Sequence, residues 1–146
     1  MTTARFPTIS IPAFLAAGAV LLVQGCAPPA PTGPGPRYFA IDLSGGAKSC
    51  TVPPSVDLAA GKTNPVVMTV TNDGGWCGIL VSQPGPKPFD VGLLTQRPAH
   101  GSVYVHVVGN QTRVDYTPNR AFKGADSFTV KLMPGAAEMK VAVTVD

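Results

Sequence analysis

The chain has 146 residues, including 16 glycines and 16 prolines, and is 45% hydrophobic but only 13% charged. That much Gly and Pro excludes a helical bundle or coiled coil, the apolar content excludes a disordered polyelectrolyte, and the length fits one domain. The net charge of +3 comes from 11 Lys/Arg and 8 Asp/Glu with no basic run, which leaves a nucleic acid no electrostatic footprint.

Residues 1–25 open with one cation, Arg5, and no acid, followed by an apolar stretch from Ile11 to Val23. The stretch falls short of the roughly 20 apolar residues that a spanning helix needs. A basic start, an apolar middle and a small residue before a cut form the build of a secretory signal. Pro12 and the proline-rich run downstream argue against a buried N-terminal helix.

Leu22-Val23-Gln24-Gly25-Cys26 ends this segment. It resembles the bacterial lipobox, with an aliphatic residue at −3 and a small one at −1 before the lipid-accepting cysteine. The resemblance implies a diacylglyceryl thioether on Cys26, cleavage before it, and acylation of the new amino terminus. The competing readings are a disulfide cysteine in a plain secreted protein, or a cut nearby by the ordinary signal peptidase. Two or three acyl chains make attachment stable where one is marginal, at about 0.8 kcal/mol per buried CH₂. Ala27, rather than Asp, follows the cysteine, which in enteric-type lipoproteins implies sorting to the outer membrane.

Three cysteines in an exported protein leave one over. With Cys26 lipidated, Cys50 and Cys77 remain as an even pair in an oxidising compartment. A bridge between them stabilises by about 3 kcal/mol in the chain-entropy model. Neither a Cys-x-x-Cys redox motif nor metal-ligand spacing is present, so no metal or cofactor is implied.

Residues 26–37 read as a tether. Five prolines between Ala27 and Arg37 favour extended polyproline-II. At about 3.1 Å per residue, the tether can hold the domain some 30 Å from the lipid.

From residue 38 to 146 the periodicity is that of strands. Period-2 runs cover Val103 to Val107, Arg113 to Tyr116, Ser127 to Leu132 and Met139 to Val145, each with one core face and one solvent face. Earlier strands are predicted at Tyr38–Leu43, Val66–Thr71, Cys77–Ser82 and Val91–Thr95. Gly109-Asn110, Pro118-Asn119 and Pro134-Gly135 are turn signals, and Asn72-Asp73-Gly74-Gly75 predicts a turn between two of the earlier strands. Three prolines between Pro84 and Pro88 mark a loop or edge crossing. Seven or eight short strands without a convincing helix predict an all-β, antiparallel, immunoglobulin-like sandwich.

Pro98-x-His100-Gly101-x-Val103-x-Val105, then Val114-x-Tyr116-x-Pro118-Asn119, then Phe122-x-Gly124-x-Asp126-x-Phe128-x-Val130 resembles the bacterial immunoglobulin-like and cadherin-like repeats of surface proteins. The physics of the pattern agrees. Tyr116 ahead of Pro118 can pin a corner, Gly124 permits a turn that a side chain would hinder, and Asp126 can accept from backbone amides at a strand start. The chain carries one copy, its first half shows no match, and the acidic clusters with which cadherins bind Ca²⁺ are missing, so calcium is not implied.

Catalytic signals are weak. His100 and His106 have no acid beside them in sequence and read as satisfied or solvated, and no acid pair stands at general acid–base spacing. Ser44-Gly45-Gly46 lacks the Lys-Ser/Thr of a phosphate loop. Arg113, Arg120, Lys123 and Lys131 form either a solvated face or a patch for an anionic surface. Trp76 either packs on the disulfide through its neighbour Cys77 or contacts a ligand. The chain is thus expected to be a lipid-anchored envelope module contacting a protein or glycan rather than an enzyme. The alternative is an accessory lipoprotein subunit of a secretion or surface-appendage complex.

Overall fold

The computed structural model describes residues 35–146. The expected signal segment, Cys26 and the tether up to residue 34 lie outside the described residues. Residues 35–146 form a compact unit with its own core and disulfide, the anatomy of a segment that folds by itself.

Among the described residues, eight strands build two sheets: β1 (Cys50–Thr51), β2 (Thr63–Val70), β3 (Cys77–Val81), β4 (Val91–Gln96), β5 (Gly101–Val108), β6 (Gln111–Pro118), β7 (Gly124–Met133) and β8 (Ala137–Val145). The larger sheet has the order β1-β2-β8-β7-β4 and the smaller β3-β6-β5. They make a β-sandwich, as the alternation predicts. In β8 every second residue from Ala137 to Val145 is buried while Lys140, Ala142 and Thr144 face out. Between the sheets lie Met68, Ile79, Tyr116, Phe128, Leu132 and Met139, all shut off from solvent. Burying a side chain of this kind contributes roughly 1.5–3 kcal/mol.

Three details differ from the expectation. The pairing is not wholly antiparallel, because β2 runs parallel to β8 over its whole length. A parallel pair needs a crossover, and here the chain between Thr71 and Ala136 supplies it. Tyr38–Leu43 is not a strand. Ala40–Leu43 forms a 3-10 turn, with the Asp42 carboxylate accepting the Phe39 N–H at 2.9 Å. Lastly, the Asn72–Gly75 connection joins β2 to β3 as predicted, but the two strands lie in different sheets.

The tight hairpins fall where turn residues stand. Gly109-Asn110 links β5 to β6, with Gly109 at φ 62 and Val108 paired to Gln111. Pro134 and Gly135 lie in the β7–β8 turn, whose Ala136 also has positive φ, at 49. Pro84–Pro86 sits in the loop leaving β3, closed by a Gln83–Lys87 bridge.

The Cys50–Cys77 disulfide joins β1 of one sheet to β3 of the other, with the Cα atoms 5.3 Å apart. It staples one open side of the sandwich. Across the sandwich β4 faces β5 closely enough that a Cβ on Gly92 would press into Val105.

Candidate functional site

The outer face of the smaller sheet is the site. β6 alternates in sequence, yet Thr112 through Tyr116 are all buried, so both faces of this strand are covered. The cover is the segment from Arg37 to Ala47, which crosses the sheet as a strap. Its contacts run in order: Arg37 carbonyl from Gly109 N–H at 3.1 Å, Asp42 carbonyl from an Arg113 Nη, Ser44 carbonyl from Trp76 Nε1 at 2.9 Å, and Gly45 carbonyl from Trp76 N–H at 3.1 Å. The Ala47 N–H then donates to the Trp76 carbonyl at 2.8 Å.

Beneath the strap lies a layered charge cluster. The Arg113 guanidinium sits 3.8 Å over the Trp76 ring, a cation–π contact in a water-poor setting. Its Nε faces both Asp115 carboxylate oxygens, 2.8 Å from Oδ1 and 3.1 Å from Oδ2. His106 Nε2 meets the same Oδ2 at 2.9 Å, and the Tyr104 ring leans on His106 with centroids 4.7 Å apart. The strap and these side chains line a cleft of about 530 Å³ whose surface is mostly apolar, with Ile41 and Ser44 on its strap side.

Hairpin geometry places these groups together. The turn at Gly109-Asn110 pairs His106 with Arg113 and Tyr104 with Asp115, so all four outward side chains share one face. His106 therefore does have an acid beside it, across the hairpin. The register was readable from the two-residue turn. Trp76 was not, because β3 joins β6 only through distant pairing, with Cys77 opposite Tyr116.

Two expectations for this face are corrected. Trp76 does not pack on the disulfide: it shares the outer face with Gly78, where a Cβ would press on its ring, while Cys77 points into the core. Arg113 does not join Arg120, Lys123 and Lys131 in a basic patch. It is buried with Asp115, whereas Arg120 and Lys123 lie exposed in the β6–β7 connection and Lys131 lies in the larger sheet.

The motif residues gather where β6 leads into β7. Tyr116 is fully buried, its ring parallel to that of Phe128 at 5.8 Å. Its hydroxyl donates to Asp126 Oδ2 at 2.9 Å, with the His100 carbonyl at 3.3 Å. Asp126 also accepts the N–H groups of Ala99, His100 and Ser127 at 2.8–2.9 Å. Burial pushes the Asp126 carboxyl up, but these four donors outweigh it and hold the group below its ordinary range. Burial and the adjacent carboxylate push the Tyr116 hydroxyl strongly up. Gly101 lies against the Tyr116 ring, Pro118 pairs opposite Gly101, and Phe122 stacks on His100 at 4.1 Å. Gly124 starts β7 at φ 125, a region closed to other residues.

Chemically, the cleft offers a His–carboxylate pair without a nucleophile in contact. The Ser44 hydroxyl donates to the Ile41 carbonyl at 3.2 Å. Among the described residues no three His, Cys, Asp or Glu side chains converge as metal ligands. Comparison with protein-family models and with curated proteins finds no match.

Proposed function

We propose that the protein is a lipid-anchored, immunoglobulin-like binding module of the cell envelope. In this reading Cys26 carries the lipid, Ala27 directs the protein to the outer membrane, and β5 adds to a strand of a protein partner. A glycan held in the cleft is the narrower form of the same reading.

The observation that carries it is the state of the sheet edges. Native edges are blunted by short length, charge, proline or bulges. β1 has two residues, and the disulfide ties it to β3, itself an edge of only five residues. β4 breaks register between Leu94 and Gln96. β5 has none of these devices: Gly101–Val108 carries no Lys, Arg, Asp, Glu or Pro, and its register with β6 is unbroken from Gly101 to Val108. One side of this eight-residue strand offers its backbone N–H and C=O groups to a partner. Strand addition takes affinity from such groups and specificity from pockets for alternate side chains. The cleft beside Tyr104 and His106 supplies such a pocket.

The test uses the acylated protein cross-linked in cells. Tyr104→Lys with Val107→Lys places charges on two exposed positions of β5. Loss of partner recovery with the anchor and melting temperature kept supports the reading; undiminished recovery overturns it. Recovery lost only on Cys26→Ser would instead mark an accessory subunit located by its lipid.

A further inference from the structure

The strap is built inside out. A segment lying across a sheet ordinarily turns its apolar side chains inward. Here Tyr38, Phe39, Ile41 and Leu43 are 56%, 62%, 75% and 78% exposed, while the one acid among them, Asp42, is buried. The Asp42 carboxylate caps the Phe39 N–H and its carbonyl holds Arg113, so the strap is fixed in this orientation. Tyr38 lays part of its ring on Gly109 of the β5–β6 turn and Ile41 borders the cleft, but packing on the sheet does not account for the exposed faces of these side chains or for Phe39 and Leu43.

We infer that this strap is a bilayer-contact element, seating its aromatic and aliphatic side chains at the interface of an anionic membrane. The inference rests on the lipid-anchor reading for its choice of occupant. Twelve positions separate Cys26 from Tyr38, a reach of at most about 40 Å whatever the conformation. The patch thus begins within reach of the surface that holds the acyl chains. Its chemistry fits as well. Two aromatics and two aliphatics stand between Arg37 and Lys48, and the only carboxylate from Arg37 to Lys48 is turned away from solvent. Apolar side chains flanked by cations are what an anionic interface binds.

Residues 27–146, which lack Cys26 and so any acyl chain, are sedimented with vesicles of phosphatidylethanolamine and phosphatidylglycerol, and separately with phosphatidylcholine alone. Binding to the anionic vesicles is expected, falling at least about tenfold in Phe39→Ser/Ile41→Ser, since each side chain loses apolar burial in the bilayer. Leu43→Ser is the second variant, and because all three side chains are exposed, an unchanged melting temperature verifies the fold. Absence of binding, binding that ignores these substitutions, or a dimer formed through the strap in place of vesicle binding overturns the inference. The anchor is read separately, by intact mass of the protein from cells. An acylated Cys26 with no vesicle binding refutes the strap alone, and vesicle binding with an unmodified Cys26 refutes the anchor alone.

Discussion

The Tyr116 hydroxyl donates to the Asp126 carboxylate across 2.9 Å and joins the end of β6 to the start of β7. Through the Ala99 and His100 amides the same carboxylate also holds the approach to β5. One half-buried acceptor thus fixes three chain segments at one end of the sandwich. Tyr116→Phe removes a charge-assisted bond at a buried site and should cost about 1.5–3 kcal/mol, seen as a lower denaturation midpoint with an unchanged slope. Gly101→Ala should cost about 1–3 kcal/mol, because the new methyl overlaps the Tyr116 ring.

The same carboxylate sets an acid limit. Asp126 is held below its ordinary value of 3.8, so in acid the unfolded chain binds its proton first. Its contribution is complete above that value and is lost as pH falls through the lower native one. Asp73, held low by the Lys48 and Gly75 amides, acts in the same direction. Asp126→Asn should therefore be less stable at neutral pH and show a shallower loss in acid, retaining the part due to Asp73. Denaturant melts at stepped pH check this; an unchanged acid slope contradicts it.

Arg113 and Asp115 are a buried pair and should behave as one. Arg113→Met leaves the carboxylate with His106 as its only partner and should cost about 3–5 kcal/mol. Arg113→Met with Asp115→Leu should recover most of that loss, since the charge no longer needs a partner. A double-mutant cycle gives the coupling, and additive losses would contradict the pairing.

Removing the disulfide should be felt as a constraint lost between sheets. Cys50→Ser/Cys77→Ser should cost about 3 kcal/mol and keep the far-UV spectrum of a sheet. Loss of the sheet signal at temperatures where the parent is folded would make the bridge a condition of folding rather than an added staple.

Much of this fold was legible in the sequence where the signal was local. Alternation marked β5 through β8, and turn residues marked their hairpins, because side-chain period and turn chemistry act within a few residues. Cysteine counting found Cys50–Cys77. The long-range features were hidden. That β2 lies parallel to β8 depends on a closure spanning most of the domain, and no local pattern encodes it. Arg113 and Asp115 stand in alternation as solvent-facing residues do; the strap that buries them comes from far upstream. Tyr38–Leu43 was apolar enough to read as a strand, but the Asp42 cap and the missing neighbour made it a turn.

The most direct test of the proposed binding mode is amide hydrogen exchange along β5, compared between the purified domain and the same protein held in its native envelope. Strand addition predicts that alternate amides between Gly101 and Val108, those facing away from β6, exchange freely in the isolated domain and become protected in the envelope. Equal exchange of those amides in both states would contradict it.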